Sequence, residues 1–159
     1  MTVTNVVHDP EQLTLTVTSE FGAPVERVWQ LWEDPRLLER WWGPPTYPAT
    51  FVDHDLSPGG TMRYYMTSPE GDKYHGWWKV TTVDAPHGLR FDDGFGEDST
   101  TAADGMPVTQ MAVTIEAVDA ASRMTIVTTY PSVAAMEQLV EMGMVEGLSE
   151  ALGQIDALL

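Results

Sequence analysis

Apolar side chains recur at steps of three and four near the end of the chain. Val140, Met144, Gly147/Leu148, Ala151/Leu152, Ile155 and Leu158/Leu159 fall on one stripe of an amphipathic helix. The spacing predicts a helix over Ser132 to Leu159, with Pro131 before it and Ser132 as N-cap; Ala135 denies it a capping box. Gly143, Gly147 and Gly153 each cost roughly 1 kcal/mol relative to alanine inside a helix. A kink at Gly143, a close approach of the sheet or space for a ligand is expected to offset that cost.

Upstream, the period drops to that of strands. Leu13, Leu15 and Val17 alternate with Thr14, Thr16 and Thr18, a first strand with one buried face. Pro24 fits the first position of a helix whose apolar face is Val25, Val28, Trp29 and Trp32. Asp34-Pro35 ends it and caps a second short helix, Arg36 to Trp42, stopped by Gly43-Pro44-Pro45. Strands follow over Ala49 to Leu56, Thr61 to Thr67, Lys73 to Val83 and Leu89 to Asp92, then Val108 to Val118 and Arg123 to Thr129. Ser68-Pro69-Glu70-Gly71-Asp72 is a hairpin turn. The stretch from Asp93 to Pro107 has hardly any apolar residues and is expected to be a mobile loop gating one end of the domain's interior. Residues 1–12 are expected to form an N-terminal extension, and residues 1–159 a single domain.

An amphipathic helix after a run of antiparallel strands buries its stripe by lying across the sheet, which makes the fold class α+β. At 159 residues the chain is long enough to build a core without staples, and it has no cysteine for disulfides, thiolate chemistry or cysteine-ligated metals. Charge changes the picture more. Twenty-four acids against eight bases give a formal charge of -16, which repels phosphate backbones and anionic lipid surfaces. No nucleic-acid or membrane partner is expected. The first ten residues lack a basic and apolar leader, so the expected location is cytoplasmic.

Several ordered signatures then carry a resemblance. They are Phe21-Gly-Ala-Pro-Val-Glu-Arg-Val-Trp29, Asp34-Pro35, Trp41-Trp42-Gly43-Pro44 and Asp55-Leu-Ser-Pro-Gly-Gly60, followed by Arg63-Tyr64 and Pro69-Glu70-Gly71. Tyr130-Pro131-Ser132 and Met142-Gly-Met-Val-Glu-Gly147 complete the set. In that order they resemble the SRPBCC (START-like) superfamily, in the branch of activator-of-heat-shock-protein-90-ATPase homologues, from about Leu13 to Leu159. The resemblance implies a helix-grip fold: a curved antiparallel sheet of about six to seven strands around a long C-terminal helix, with two short helices after the first strand. It also implies an apolar cavity between helix and sheet that binds lipids, hormones or polyketide-like molecules; some members perform cyclisation or dehydration there. The chain departs from the family at Ser57, where a basic residue is frequent, and at Leu148, where tryptophan is common.

The residues themselves name few chemical groups. Six tryptophans and nine methionines are the strongest compositional signals. One of each pair, Trp41-Trp42 and Trp77-Trp78, should point inward, serving the core or a cavity wall. Methionine serves equally as core filler and as adaptable pocket lining. The expected cavity wall is Trp42, Met62, Tyr64, Met66, Trp78 and Phe91 from the sheet side, with Met111. Met136, Val140, Met144 and Gly147 are its expected helix side. His8, His54, His75 and His87 show no metal-ligand spacing, and the acids Asp92, Asp93, Glu97, Asp98 and Asp104 lack the calcium-loop pattern and read as solvated loop acids. No metal or other cofactor is expected. No triad, carboxylate pair or phosphate loop is present, so Tyr64 and His75, on adjacent hairpin strands, are the candidate acid and base. The reading that emerges is a protein binding a small apolar molecule. A cyclase- or dehydratase-type enzyme using the same cavity and a module docking a chaperone or other protein partner are the alternatives.

Overall fold

The computed structural model describes residues 3–97 and 106–159. Its framework is one antiparallel sheet of eight strands in the order β1-β2-β8-β7-β6-β5-β4-β3. In chain order these are β1 (Val3–Asp9), β2 (Thr14–Phe21), β3 (Ala49–His54), β4 (Thr61–Thr67), β5 (Lys73–Asp84), β6 (Gly88–Phe95), β7 (Thr109–Val118) and β8 (Ala121–Thr129). From β3 to β8 each strand pairs with the next. The crossover from β2 to the far edge at β3 carries α1 (Val25–Glu33) and α2 (Pro35–Leu38). The chain ends in α3 (Val133–Glu141), α4 (Met144–Leu152) and a 3-10 turn at Ile155–Leu158.

Strand alternation sends every second side chain to the inner face. Leu15, Val17 and Phe21 of β2 stand opposite Thr128, Ile126 and Ser122 of β8, and all are buried. Leu89 and Phe91 of β6 face Val113 and Met111 of β7 in the same way. The helical crossover adds Val28, Leu31 and Trp32, all essentially without exposed surface. Trp32, Trp41, Trp42, Trp78 and Phe91 then meet in one aromatic cluster. Trp32 meets Trp41 edge-on at 4.8 Å between centroids, and Trp78 stacks on Phe91 at 4.0 Å. Offset and edge-on contacts of this kind contribute about 0.5–1.5 kcal/mol per pair beyond their buried area.

Four features depart from the sequence reading. Residues 3–9 form a strand rather than an extension; β1 is exposed along most of its length and joins β2 through backbone pairing, so it carries no alternation to detect. The second helix is a single turn, Pro35–Leu38, capped as expected by Asp34, which accepts a hydrogen bond from the Arg36 N–H at 2.9 Å. Strand β6 runs on through Asp93 and Gly94 to Phe95, so the acidic loop begins later than its composition indicates. Residues 98–105 of that loop, and with them the expected gate, lie outside the described residues.

The fourth departure is the terminal helix. Ser132 caps it, its hydroxyl accepting from the Ala135 N–H at 3.1 Å. The helix breaks at Gly143, whose φ of 89° and ψ of 22° are left-handed, and α4 starts at the next residue. A left-handed residue is strained unless it is glycine. Gly147, one turn on, has a normal helical φ and nothing within 4 Å of where a Cβ would stand. The two glycines should therefore respond to alanine with opposite signs. Gly143→Ala is expected to lower stability by about 1–2 kcal/mol, and Gly147→Ala to raise it by several tenths up to about 1 kcal/mol. Denaturant melts of both variants check this, and a stabilised Gly143→Ala would show that the break does not depend on its backbone angle.

Candidate functional site

The aromatic cluster fills one half of the space enclosed by the sheet. In the other half, between α3–α4 and the inner face of β4 to β7, lies a cavity of about 740 Å³. The sheet contributes Tyr64 and Met66 from β4, Asp93 from β6, and Thr109 and Met111 from β7, with Trp42 at one side. The helices contribute Leu139, Met142, Met144, Gly147 and Leu148. Pro44, Tyr47, Tyr74 and Phe95 surround the mouth together with Met106, and Tyr47, Tyr74, Phe95 and Met142 are solvent-exposed there. A second hollow of about 250 Å³ lies on the outer face of the sheet among Thr81, Arg90, Asp92, Gln110 and Thr129. Ala112 and Val127 line it beside these polar side chains, and it is about a third the size of the first.

Of the residues expected on the wall, Trp42, Tyr64, Met66, Met111, Met144 and Gly147 line the cavity. Met62, Trp78 and Phe91 share the inner face but lie in the packed half, each essentially without exposed surface. Met136 is partly buried against the core, and Val140 is exposed. His75 is exposed at the cavity's rim, with its ring 5.7 Å from that of Tyr65. Register explains why it does not meet Tyr64: His75 pairs with Tyr65, and Tyr64 pairs with Gly76. Tyr64 and His75 therefore project to opposite faces and cannot exchange a proton directly.

The partner of Tyr64 is Asp93. Its carboxylate accepts a hydrogen bond from the Tyr64 hydroxyl at 3.1 Å. Asp93 is an inner-face residue of β6, opposite Trp78 on β5 and Thr109 on β7. It is thus not the solvated loop acid that the surrounding glycines and acids imply. The available signal was the alternation Leu89, Phe91, Asp93, which continues the strand past its apolar part. Gly76 is what lets the pair form. A Cβ at Gly76 would overlap the Tyr64 ring, so the ring lies flat over bare backbone and reaches across β5 to β6.

Burial pushes the Asp93 carboxyl up to about 7, although the hydrogen bond from Tyr64 and the nearby Trp78 N–H work in the opposite direction. What surface Asp93 retains faces the cavity. Burial, and then the charge of Asp93, hold the Tyr64 phenol well above its ordinary value, so it stays a neutral donor. The tryptophan N–H groups single out the same place. Trp29 donates to Glu33, Trp32 to the Met124 sulfur, Trp41 to the Leu31 carbonyl and Trp77 to the Phe95 carbonyl. The indole N–H groups of Trp42 and Trp78 are buried and complete no hydrogen bond among the described residues. Both lie near enough to Tyr64 to favour its charged form, and Trp78 does the same for Asp93, without the alignment of a hydrogen bond. A buried donor left unsatisfied costs about 1–3 kcal/mol. Among the described residues no cluster of histidine or acidic side chains could hold a metal ion.

The fold agrees with comparisons across known proteins. Residues 22–159 match the family model described as Activator of Hsp90 ATPase homolog 1-like protein, and the chain belongs to that family. The crystal structure of protein Ms6760 from Mycobacterium smegmatis is 51% identical, with a TM-score of 0.91 over 99% of this chain and 96% of that one. The solution structure of a protein from Arthrobacter aurescens is 50% identical, with a TM-score of 0.93 over 98% and 91%. DynU16, from the dynemicin biosynthetic locus, is 20% identical with a TM-score of 0.63 over 91% of this chain and 47% of that chain, a likeness of fold. Comparison with curated proteins finds no match. No helix among the described residues is long and apolar enough to cross a membrane.

The raised value of Asp93 links the site to stability. An unfolded aspartate ionises near 3.8, so between there and about 7 the fold holds a proton that the unfolded chain has released. Stability contributed by the neutral group is therefore present at low pH and lost as pH rises to about 7. Asp93→Asn, which never ionises, should melt above the wild type at about pH 8, with a gain of up to a few kcal/mol that vanishes toward about pH 4. Thermal melts across that range check the sign; a constant offset would show that Asp93 does not titrate there.

Proposed function

We propose that this protein binds a small, largely apolar molecule in the cavity between α3–α4 and the sheet. The observation that carries this reading is the open space beneath the helices, about 740 Å³ walled mainly by methionine, leucine and aromatic side chains. That size and lining suit a small-molecule site with a few fixed polar groups. The unbranched thioethers of Met66, Met111, Met142 and Met144 adapt to shape more readily than branched chains. Leu148 on this wall occupies less volume than tryptophan would, so more space is left for a guest. The formal charge of -16 favours a neutral guest over an anionic one and disfavours nucleic-acid and anionic-membrane partners. The hydrogen-bonded pair of Asp93 and Tyr64 supports a second reading, in which the cavity also moves a proton on its guest.

Gly147→Leu tests the binding reading with a neutral apolar fluorophore, N-phenyl-1-naphthylamine. The wild type should take up the probe saturably, with a blue-shifted emission. The leucine should enter empty space, so the variant is expected to melt at or above the wild type while probe uptake falls several-fold. A clearly lower melting point with unchanged uptake would mean that the helix is packed down at Gly147 and that the probe binds elsewhere.

A further inference from the structure

The buried polar groups of the cavity gather at its inner end, while the charged ones at its rim are exposed. Asp93, Tyr64 and Trp42 lie together on the sheet side where the cavity meets the aromatic cluster, with Trp78 directly behind them. Counting donors against acceptors shows an imbalance. The Tyr64 hydroxyl and the two indole N–H groups are three donors, and only the first has a completed bond, to Asp93. The other four indoles of the chain each found a partner nearby, so leaving an indole unpartnered is not a general habit of this core. Both exceptions are indoles at this one corner, more than nine-tenths buried. Buried donors are normally satisfied, and two indole N–H groups left unmet beside a cavity leave room for an acceptor from outside.

Resting on the binding reading above, we infer that this corner docks a single uncharged acceptor oxygen of the ligand, of the ketone or aldehyde kind, on the Asp93–Tyr64 pair and the Trp42 indole N–H. The apolar remainder of the ligand then lies along the methionines toward the mouth. A carboxylate or phosphate in that place would meet Asp93 at close range inside a strongly acidic protein, and is rejected. A plain hydrocarbon would leave the donors as they are.

The protonation state of Asp93 sets when the corner can donate. As a neutral acid, Asp93 can itself give a hydrogen bond to the ligand oxygen. As a carboxylate it only accepts, and it draws the Tyr64 hydroxyl and the Trp78 N–H to itself. The other ionisable groups around it are Tyr64 from β4, Lys73, Tyr74 and His75 near the rim on β5, and Glu97 after β6; Tyr47 stands at the mouth. Strand β7 presents Thr109 and Met111, and α3 and α4 present no charged side chain to the cavity. Asp93 is thus the one acid at the inner end among the described residues, and carbonyl binding should weaken as it ionises.

Two probes of like shape separate the possibilities: 2-acetylnaphthalene, which carries a ketone, and 2-ethylnaphthalene, which does not. Each is titrated against wild type loaded with N-phenyl-1-naphthylamine. At about pH 6 the ketone should compete up to about tenfold better than the hydrocarbon, although it loses more hydration on entering. Above about pH 8 that preference should largely disappear, while competition by the hydrocarbon stays constant. Tyr64→Phe and Asp93→Leu should each reduce the preference at low pH, and Asp93→Asn should remove its pH dependence. Equal competition by both probes at low pH, with the fluorophore bound, overturns the inference and leaves the binding reading standing. A pH step that survives in Asp93→Asn and disappears in His75→Gln also overturns it. Failure of the wild type to take up any of the three compounds overturns both.

Discussion

Asp93 puts a carboxyl group on the inner face of the sheet, where there is little water to solvate its charge. Everything notable about the site follows from how the fold accommodates it. Register holds Tyr64 over Gly76 and Trp78 opposite Asp93, so the phenol and one indole converge on the carboxyl from neighbouring strands. A slip of one residue in β5 would send Gly76 and Trp78 to the outer face and break the arrangement. Even so placed, the carboxyl is pushed up to about 7, which keeps it within reach of both protonation states near neutrality. A fully solvated aspartate would remain an anion, and a fully paired one would be fixed as such.

The interior is divided between two kinds of packing. On the side of α1, rigid rings interlock: Trp32, Trp41, Trp42, Trp78 and Phe91 leave no room for a guest. On the side of α3 and α4, flexible methionines face open space, and the helix is broken rather than continuous. The left-handed Gly143 redirects the chain, and Gly147 withholds a side chain just where the cavity begins. Helix stability is thereby given up for volume. Asp93, Tyr64 and Trp42 stand at the seam, where a guest entering from the mouth would meet the rigid half.

Much of this was legible in the chain. Strand alternation and the terminal apolar stripe specify an α+β fold with a helix laid on a sheet, and Pro131-Ser132 marks where that helix starts. The inner face of each strand could be read off as well, which is why Met66, Met111 and Tyr64 were expected inside. Alternation does not say where along a strand close packing yields to open space. Met62 and Phe91 obey the same pattern as Met66 and Met111 yet end up in the solid half. Strand β1 leaves no mark in the pattern because it pairs through its backbone with both faces largely exposed. The glycines and acids around Asp93 resemble a loop and mask its place on the strand, although it continues the Leu89, Phe91 alternation. His75 has the chemistry of a base but not the position, because the pairing of Tyr64 with Gly76 puts it on the other face.

A ligand docked at the inner corner of the cavity lies within reach of the two unpartnered indole N–H groups, those of Trp42 and Trp78. Indole N–H resonances report this directly, because each of the six tryptophans contributes one such signal. In a nitrogen–proton correlation spectrum at low pH, adding 2-acetylnaphthalene should shift the Trp42 and Trp78 signals downfield as they gain an acceptor or realign beside it. The signals of Trp29 and Trp77, which are satisfied elsewhere, should stay where they are. Unmoved Trp42 and Trp78 signals at saturating ketone, or shifts confined to Trp29 and Trp77, would place the ligand away from this corner.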